Sequence, residues 1–239
     1  MVIRLYTEYK LVSVGQGVTL TEKQCHYLYH VMRCHEGDAV LLFDGENGEY
    51  QAEISVLSAK KGEAVLQKKT KEFSLSPDIW LLFAPLKKDN TDMVVQKATE
   101  LGVRRIVPVL TAYTNSDKVR IERFCAQSIE AAEQCRRTDI PQIVAPEKLK
   151  IVLQAWNPER TLFFLNERGH GWRLADVLKE YSHKAAFLIG PEGGFSAEEE
   201  ALLLSYSFVK PICLGQRILR AETAAIASLS CWQAINGDW

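Results

Sequence analysis

The sequence predicts an α/β protein in two parts, a small β-barrel at the amino end and then a larger layer of strands and helices around a mostly parallel sheet. Three observations carry that expectation. Residues 1–70 hold short apolar or alternating runs broken by turn residues, the pattern of a small barrel. Beyond residue 76, apolar runs alternate with segments of helical spacing. Between them KKTKEFSLSP, residues 68–77, is polar and ends in proline, which marks a domain boundary and gives domains 1–70 and 76–239. The 239 residues suffice for both, and a chain 47% hydrophobic and 25% charged is too apolar to be disordered.

In the first part strands are expected at Val2–Tyr6, Val18–Leu20, Ala39–Phe43, Glu49–Leu57 and Ala64–Gln67, with one helix over Glu22–Arg33. Asp44-Gly45 and Asn47-Gly48 separate an apolar run from an alternating one, so Ala39–Leu57 reads as a hairpin. In the second part the strands are Ile79–Ala84, Ile106–Leu110, Thr161–Leu165, Ala185–Ile189 and Val209–Leu214. The helices are Asp89–Leu101, Lys118–Arg136, Trp172–Tyr181, Ser196–Ser205 and Glu222–Ile235. In Lys118–Arg136, Ile121, Phe124, Cys125, Ile129 and Ala132 follow helical spacing and make one apolar face. The last helix, with Ala224, Ala225, Ile226, Leu229 and Trp232, is too apolar for a free surface, which implies either a subunit contact or burial within one chain.

No window approaches the roughly 18 apolar residues of a membrane span, and MVIRLYTEYK lacks the apolar core of a secretory signal, so a soluble cytoplasmic protein is expected. With 29 Lys+Arg against 30 Asp+Glu, the net charge of −1 argues for no polyanion partner by itself, and any nucleic-acid surface must be local. The cysteines Cys25, Cys34, Cys125, Cys135, Cys213 and Cys231 form no CxxC pair and are expected reduced and mostly buried. His26, His30 and Cys34 would share one helix face, with Cys25 and His35 nearby, but no knuckle spacing accompanies them, and a half-buried helix with polar rings is the reading against zinc.

Two strands in the carboxy-terminal half run into glycine turns, AAFLIG into PEGGFSAEEE and VKPICLG into QRILRAETA. Ligands of open parallel sheets bind beyond the carboxyl ends of strands, where both turns fall. Gly190, Gly193 and Gly194 permit close backbone approach, Pro191 fixes the turn, and Ser196 with Glu199 forms a capping box that starts a helix at once. Neither a GxxxxGK[ST] nor a GxGxxG phosphate motif is present in a strand-to-helix context, and Glu192 would repel phosphate but suit an ammonium or sulfonium. A structural turn and a ligand loop both account for this segment. In the second turn Leu214, Ile218 and Leu219 suit an adenine ring, and Gln216, Arg217 and Arg220 stand beside them; the arginines would hold an anion, or pair with Glu222 or a partner subunit.

HYLYHVMRCHEGD, KKDNTDMVVQKATELGVRRIVPV, EAAEQCRR, LIGPEGGFSAEE and LGQRILRAETA occur in the order seen in the ribosomal RNA small-subunit methyltransferase E family, which the chain resembles over nearly its whole length. The resemblance implies a PUA-like barrel followed by a SPOUT domain with a trefoil knot, a feature strand order alone would not suggest. It implies homodimers that use S-adenosylmethionine, without a metal, to methylate N3 of a uridine in 16S ribosomal RNA. The cofactor would be lined by Leu165, Gly190, Pro191, Glu192, Gly193, Gly194, Leu214, Gly215, Arg217, Ile218 and Leu219. Arg220 would face the methyl-accepting base, and Arg33, Lys87, Lys88, Lys97, Arg136 and Arg137 are candidate RNA contacts. Where many members carry Arg-Ser this chain has Asn115-Ser116, which keeps hydrogen bonding but not charge.

Methylation at N3 requires loss of its proton and stabilisation of the anion that spreads onto the flanking carbonyls. Arg220 is the candidate stabiliser, and Glu192 a candidate base whose other role is loop shaping. N3 sits on the pairing edge, so the base must be unpaired or flipped out. Competing readings are a non-catalytic RNA-binding module that has kept the fold and an α/β enzyme using nicotinamide or ATP; the intact LGQRILRAETA weighs against a degenerate site.

Overall fold

A computed structural model describes residues 2–114, 119–166, 171–180 and 184–239, with Lys88 described by its backbone only. The chain divides into two compact units, Met1–Leu75 with Ala132–Ile140, and Ser76–Ala131 with Pro141–Trp239.

In the first unit the strands β1 (Ile3–Tyr6), β2 (Gly17–Thr19), β3 (Ala39–Phe43), β4 (Glu49–Leu57) and β5 (Gly62–Lys71) form one sheet in the order β1-β3-β4-β5-β2. β1 runs parallel to β3 and the other pairs are antiparallel. The hairpin is present, with Phe43 opposite Glu49. Along β4 the buried Tyr50, Ala52 and Ile54 alternate with exposed Gln51, Glu53 and Ser55, which turns one face onto a core with Leu5, Val18, Val40, Leu42 and Leu66. The Asp44 carboxylate closes the hairpin loop by accepting from the backbone N–H groups of Leu11, Glu46 and Asn47.

The expected helix over Glu22–Arg33 begins with a Thr21–Gln24 capping box as α1 (Glu22–His26) and continues as a π-helical turn over Tyr27–Val31. The wider turn, with Met32 N–H donating to Tyr27 O at 3.0 Å, leaves Cys25 and Leu28 buried and Tyr27, Tyr29 and Val31 exposed. The His26 and His30 rings lie 4.7 Å apart, and among the described residues no group of three His, Cys, Asp or Glu side chains could hold a metal. Only Cys25 of the six cysteines is fully buried, four are half-buried and Cys135 is exposed, so the set is less buried than its composition suggested.

Residues 132–140 join this unit through Arg4. Arg4 is 8% exposed, and its guanidinium pairs with Glu49 at 2.6 Å, lies over the Phe43 ring, and donates to Ala132 O at 2.6 Å and Arg137 O at 2.7 Å. Tyr6 N–H donates to Glu133 Oε1, and Ser74 N–H to Thr138 Oγ1. Arg137 itself pairs with Asp139 at 2.8 Å, their side chains 8% and 4% exposed. This corrects the reading of Arg137 as an RNA contact, because a guanidinium committed to a buried carboxylate is not free for phosphate.

The second unit is built on β6 (Ile79–Phe83), β7 (Arg105–Leu110), β8 (Gln142–Ile143), β9 (Glu147–Lys148), β10 (Thr161–Leu165), β11 (Trp172–Arg173), β12 (Ala185–Ile189) and β13 (Val209–Cys213). They form one sheet ordered β11-β13-β10-β12-β6-β7-β8, with β9 also on β7, and every pair is parallel. Runs such as IWLLF, TLFFL and AAFLI are apolar at successive positions because both faces are covered. One face packs Leu81, Phe83, Phe163 and Phe187 against α2 (Lys88–Glu100), α3 (Ile121–Cys135), α5 (Leu174–Val177) and α7 (Ala221–Asn236). The other packs Leu82, Val107, Phe164 and Leu188 against α4 (Leu149–Gln154) and α6 (Ala197–Leu204).

In α7, Ala225, Leu229 and Trp232 are buried in the unit's own core, which answers that helix's apolar character within one chain. The helix expected over Trp172–Tyr181 is instead a two-residue strand followed by the short α5; its last residue, Tyr181, and the first of the helix expected at Lys118 lie outside the described residues. Gly171 lets this segment run along β13, since a Cβ there would sit 2.9 Å from the Ile212 backbone. Among the described residues no helix is long and apolar enough to cross a membrane.

Candidate active site

The adjacent strands β13, β10 and β12 end side by side, and their carboxyl ends open on a cavity of about 960 Å³, at the upper end of the range for small-molecule sites. Asn166 N–H donates to Ile212 O at 3.1 Å and Ala84 N–H to Ile189 O at 3.0 Å, so the rims of neighbouring strands are tied where the loops depart. The floor is apolar, from Phe164, Ile189 and Ile212.

After β12 the glycine turn is held by its own packing. A Cβ on Gly190 would stand 2.7 Å from the Phe195 ring, and Gly194, at φ 71° with its N–H donating to Pro191 O, takes the left-handed conformation that ends the turn. The capping box is formed, with Glu199 N–H donating to Ser196 Oγ and Ser196 N–H to Glu199 Oε2. Glu199 also accepts from Ala112 N–H at 2.8 Å, which joins the loop after β7 to the start of α6. Tyr113 packs against Gly193, whereas Asn115 and Ser116 lie outside the described residues.

After β13, Gly215 has φ 103° and nothing within 4 Å of a Cβ position, so its backbone faces open space, and the chain then runs through Gln216–Arg220 into α7. Gly190, Pro191, Glu192 and Gly194 of the first turn, Leu214, Gly215, Arg217, Ile218, Leu219 and Arg220 of the second, and Leu165 all line the cavity. Gly193 belongs to the first turn without lining the cavity. Lys87, the residue before α2, is on the wall, while Lys97 pairs with Glu100 at 2.9 Å. Arg33 and Arg136 are exposed in the first unit, and of the Lys88 side chain nothing is described.

The wall also carries Asn90, Asn166, Glu200 and Glu222, which the motif reading did not assign to the site. Glu222 had been weighed as an ion-pair partner for Arg217 or Arg220, but neither pair forms; it is 8% exposed and both arginines are exposed. Its signal was its place two residues after Arg220 at the start of a helix, which spacing alone does not separate from a cap. The site thus offers apolar surface, backbone exposed at glycines, and charges of both signs without a phosphate cradle. That donor set fits a cationic nucleoside: carboxylates for an ammonium or sulfonium and aliphatic walls for a purine.

A parallel α/β unit with this cavity, joined to a small β unit, is the architecture of a two-domain RNA methyltransferase. Residues 74–233 match the RNA methyltransferase domain family and residues 20–67 the RNA methyltransferase PUA domain family. The ribosomal RNA small subunit methyltransferase E of Rickettsia conorii is 31% identical over 231 residues, covering 95% of this chain and 93% of that protein. The crystal structure of the Neisseria gonorrhoeae enzyme of the same name, bound to S-adenosyl methionine, superposes with a TM-score of 0.90 at 29% identity over 100% of both chains. A Legionella pneumophila structure with bound S-adenosyl methionine gives 0.89 at 31% identity, again over 100% of both. The chain belongs to the ribosomal RNA small subunit methyltransferase E family.

Proposed function

We propose that this chain methylates N3 of a uridine in 16S ribosomal RNA with S-adenosylmethionine, acting in the cytoplasm as a homodimer, its second unit carrying the family's trefoil knot and its domains divided near residue 70–76. The observation that carries the reading is the convergence of both glycine turns on one cavity at the carboxyl ends of β10, β12 and β13. When bound, the cofactor supplies a methyl carbon activated by a sulfonium leaving group.

Leu165, Leu214, Ile218 and Leu219 provide apolar walls, and Gly190, Gly194 and Gly215 bring main chain up to the ligand without side-chain obstruction. Glu192 draws a cationic ligand to the mouth. Arg220 donates to a uridine carbonyl oxygen and stabilises the anion that forms when N3 loses its proton. Holding N3 in line with the methyl carbon supplies much of the acceleration. Lys87 in the second unit and the exposed Arg33 and Arg136 in the first offer phosphate contacts. Ile235 in the last turn of α7 and Trp239 beyond its end, 39% and 69% exposed, are candidates for the contact between copies.

Mass spectrometry of ribosomal RNA from cells lacking the gene is expected to show one N3-methyluridine missing. The wild-type gene restores it and Arg220→Ala does not. Calorimetry separates the alternatives: binding of S-adenosylmethionine with no response to NAD or ATP agrees with the proposal, while RNA binding without cofactor binding would establish the non-catalytic module instead.

A further inference from the structure

Six charged side chains face the cavity: Lys87, Glu192, Glu200, Arg217, Arg220 and Glu222. Lys87, Glu192 and the two arginines are exposed and keep their hydration, and Glu200 has an interaction of its own. Glu222 differs. It is 8% exposed at the second position of α7, and among the described residues no cation lies within ion-pair distance and no donor hydrogen-bonds to its carboxylate. Its oxygens are not sealed from the cavity, so the carboxylate is left to water or to whatever enters there.

The pairing edge of uracil reads acceptor, donor, acceptor, with N3–H between two carbonyl oxygens. A carboxylate and a guanidinium on one wall match two of those three groups, and Glu222 with Arg220, two residues apart in sequence and both lining the cavity, offers them. Resting on the uridine-N3 reading, we propose that Glu222 is the proton acceptor of the reaction. The N3–H bond breaks toward a Glu222 oxygen as the bond from N3 to the methyl carbon forms, and the electron pair of the carbon–sulfur bond leaves with sulfur. Products are N3-methyluridine, S-adenosylhomocysteine and a protonated Glu222, which returns its proton to solvent once the products have left. Glu192, exposed at the mouth, is left to attract the cofactor's positive charge.

The test compares wild type with Glu222→Gln, following cofactor affinity by calorimetry, RNA affinity, and kcat against pH. Expected are affinities within about threefold of wild type, a kcat lower by about 100-fold or more, and loss of the acidic limb of the pH profile. RNA carrying 5-fluorouridine at the target, whose N3–H is more acidic, should recover at least about tenfold of the lost rate. A kcat within about fivefold of wild type, a loss explained by weaker cofactor binding, or no recovery with 5-fluorouridine would overturn the assignment. If the glutamine variant does not fold, Glu222→Asp takes its place, expected to be slower yet to keep the acidic limb; absence of that limb overturns the assignment equally. Wild-type protein that makes no N3-methyluridine refutes the underlying reading, whereas methylation undiminished in Glu222→Gln refutes only the role of Glu222.

Discussion

Arg33 and Arg136 sit at the ends of their helices with φ of 56° and 64°, a conformation that residues other than glycine and asparagine rarely adopt. Each costs about 1 kcal/mol against a glycine, so the side chain has to return something, and both are exposed. Arg33→Gly is expected to unfold in denaturant within about 1 kcal/mol of the parent while binding ribosomal RNA more weakly and with a shallower salt dependence. Motifs placed both arginines in the sequence but did not tell them from Arg137, whose guanidinium is spent on Asp139. A run of Arg-Arg shows charge; which member is buried depends on a carboxylate brought in by folding. Glu222 was hidden in the same way, because its burial shows only once the first turn of α7 is placed on the cavity wall.

Elements with a strong local cause were the most legible. The apolar runs of β6, β10, β12 and β13 and the cap at Ser196 follow from residue type within a few positions, and so did the two glycine turns of the site. The two-residue strands β8, β9 and β11 have no period of their own and exist because an open strand beside them offers hydrogen bonds. The π-helical turn after α1 keeps the composition of an α-helix and differs only in how Cys25 and Leu28 reach the core. At α6, Ser196→Ala removes the acceptor for Glu199 N–H and leaves the Glu199 carboxylate held only by the backbone N–H groups of residues 196 and 112. Chemical denaturation should show a loss of about 1 kcal/mol, and calorimetry a several-fold weaker affinity for S-adenosylmethionine, because the preceding turn lines the cavity.

Across the whole molecule, each unit holds a partly buried carboxylate below its ordinary value. In the first, burial pushes the Asp44 carboxyl up, but backbone N–H groups and the Asn47 amide outweigh it and hold it below the ordinary value. In the second, Asp78 is likewise pushed up by burial yet held low by the hydrogen bond and charge of Arg160, with Arg104 and Trp80 assisting. A folded value below the unfolded one, about 3.9, gives stability that is complete above that pH and lost as pH falls through the folded value. Asp78→Asn should lower stability at pH 7 by about 1–2 kcal/mol, and the difference from wild type should narrow as the pH falls below the ordinary carboxylate range and Asp78 itself takes up a proton. Urea titrations at pH 7, 5, 4 and 3 check both the size and the sign.

The clasp of Arg4 on the carbonyls of Ala132 and Arg137 has a practical corollary for anyone wishing to cut the polypeptide in two. A fragment ending at residue 75 would strip a buried guanidinium of two acceptors and Tyr6 of its Glu133 partner, and is expected to be poorly soluble. Joining residues 132–140 to it through a short glycine-serine spacer would supply those partners again. The inserted nonapeptide makes the amino-terminal piece a graft from two stretches of gene, so recombination at the polar linker alone would not swap it intact between relatives.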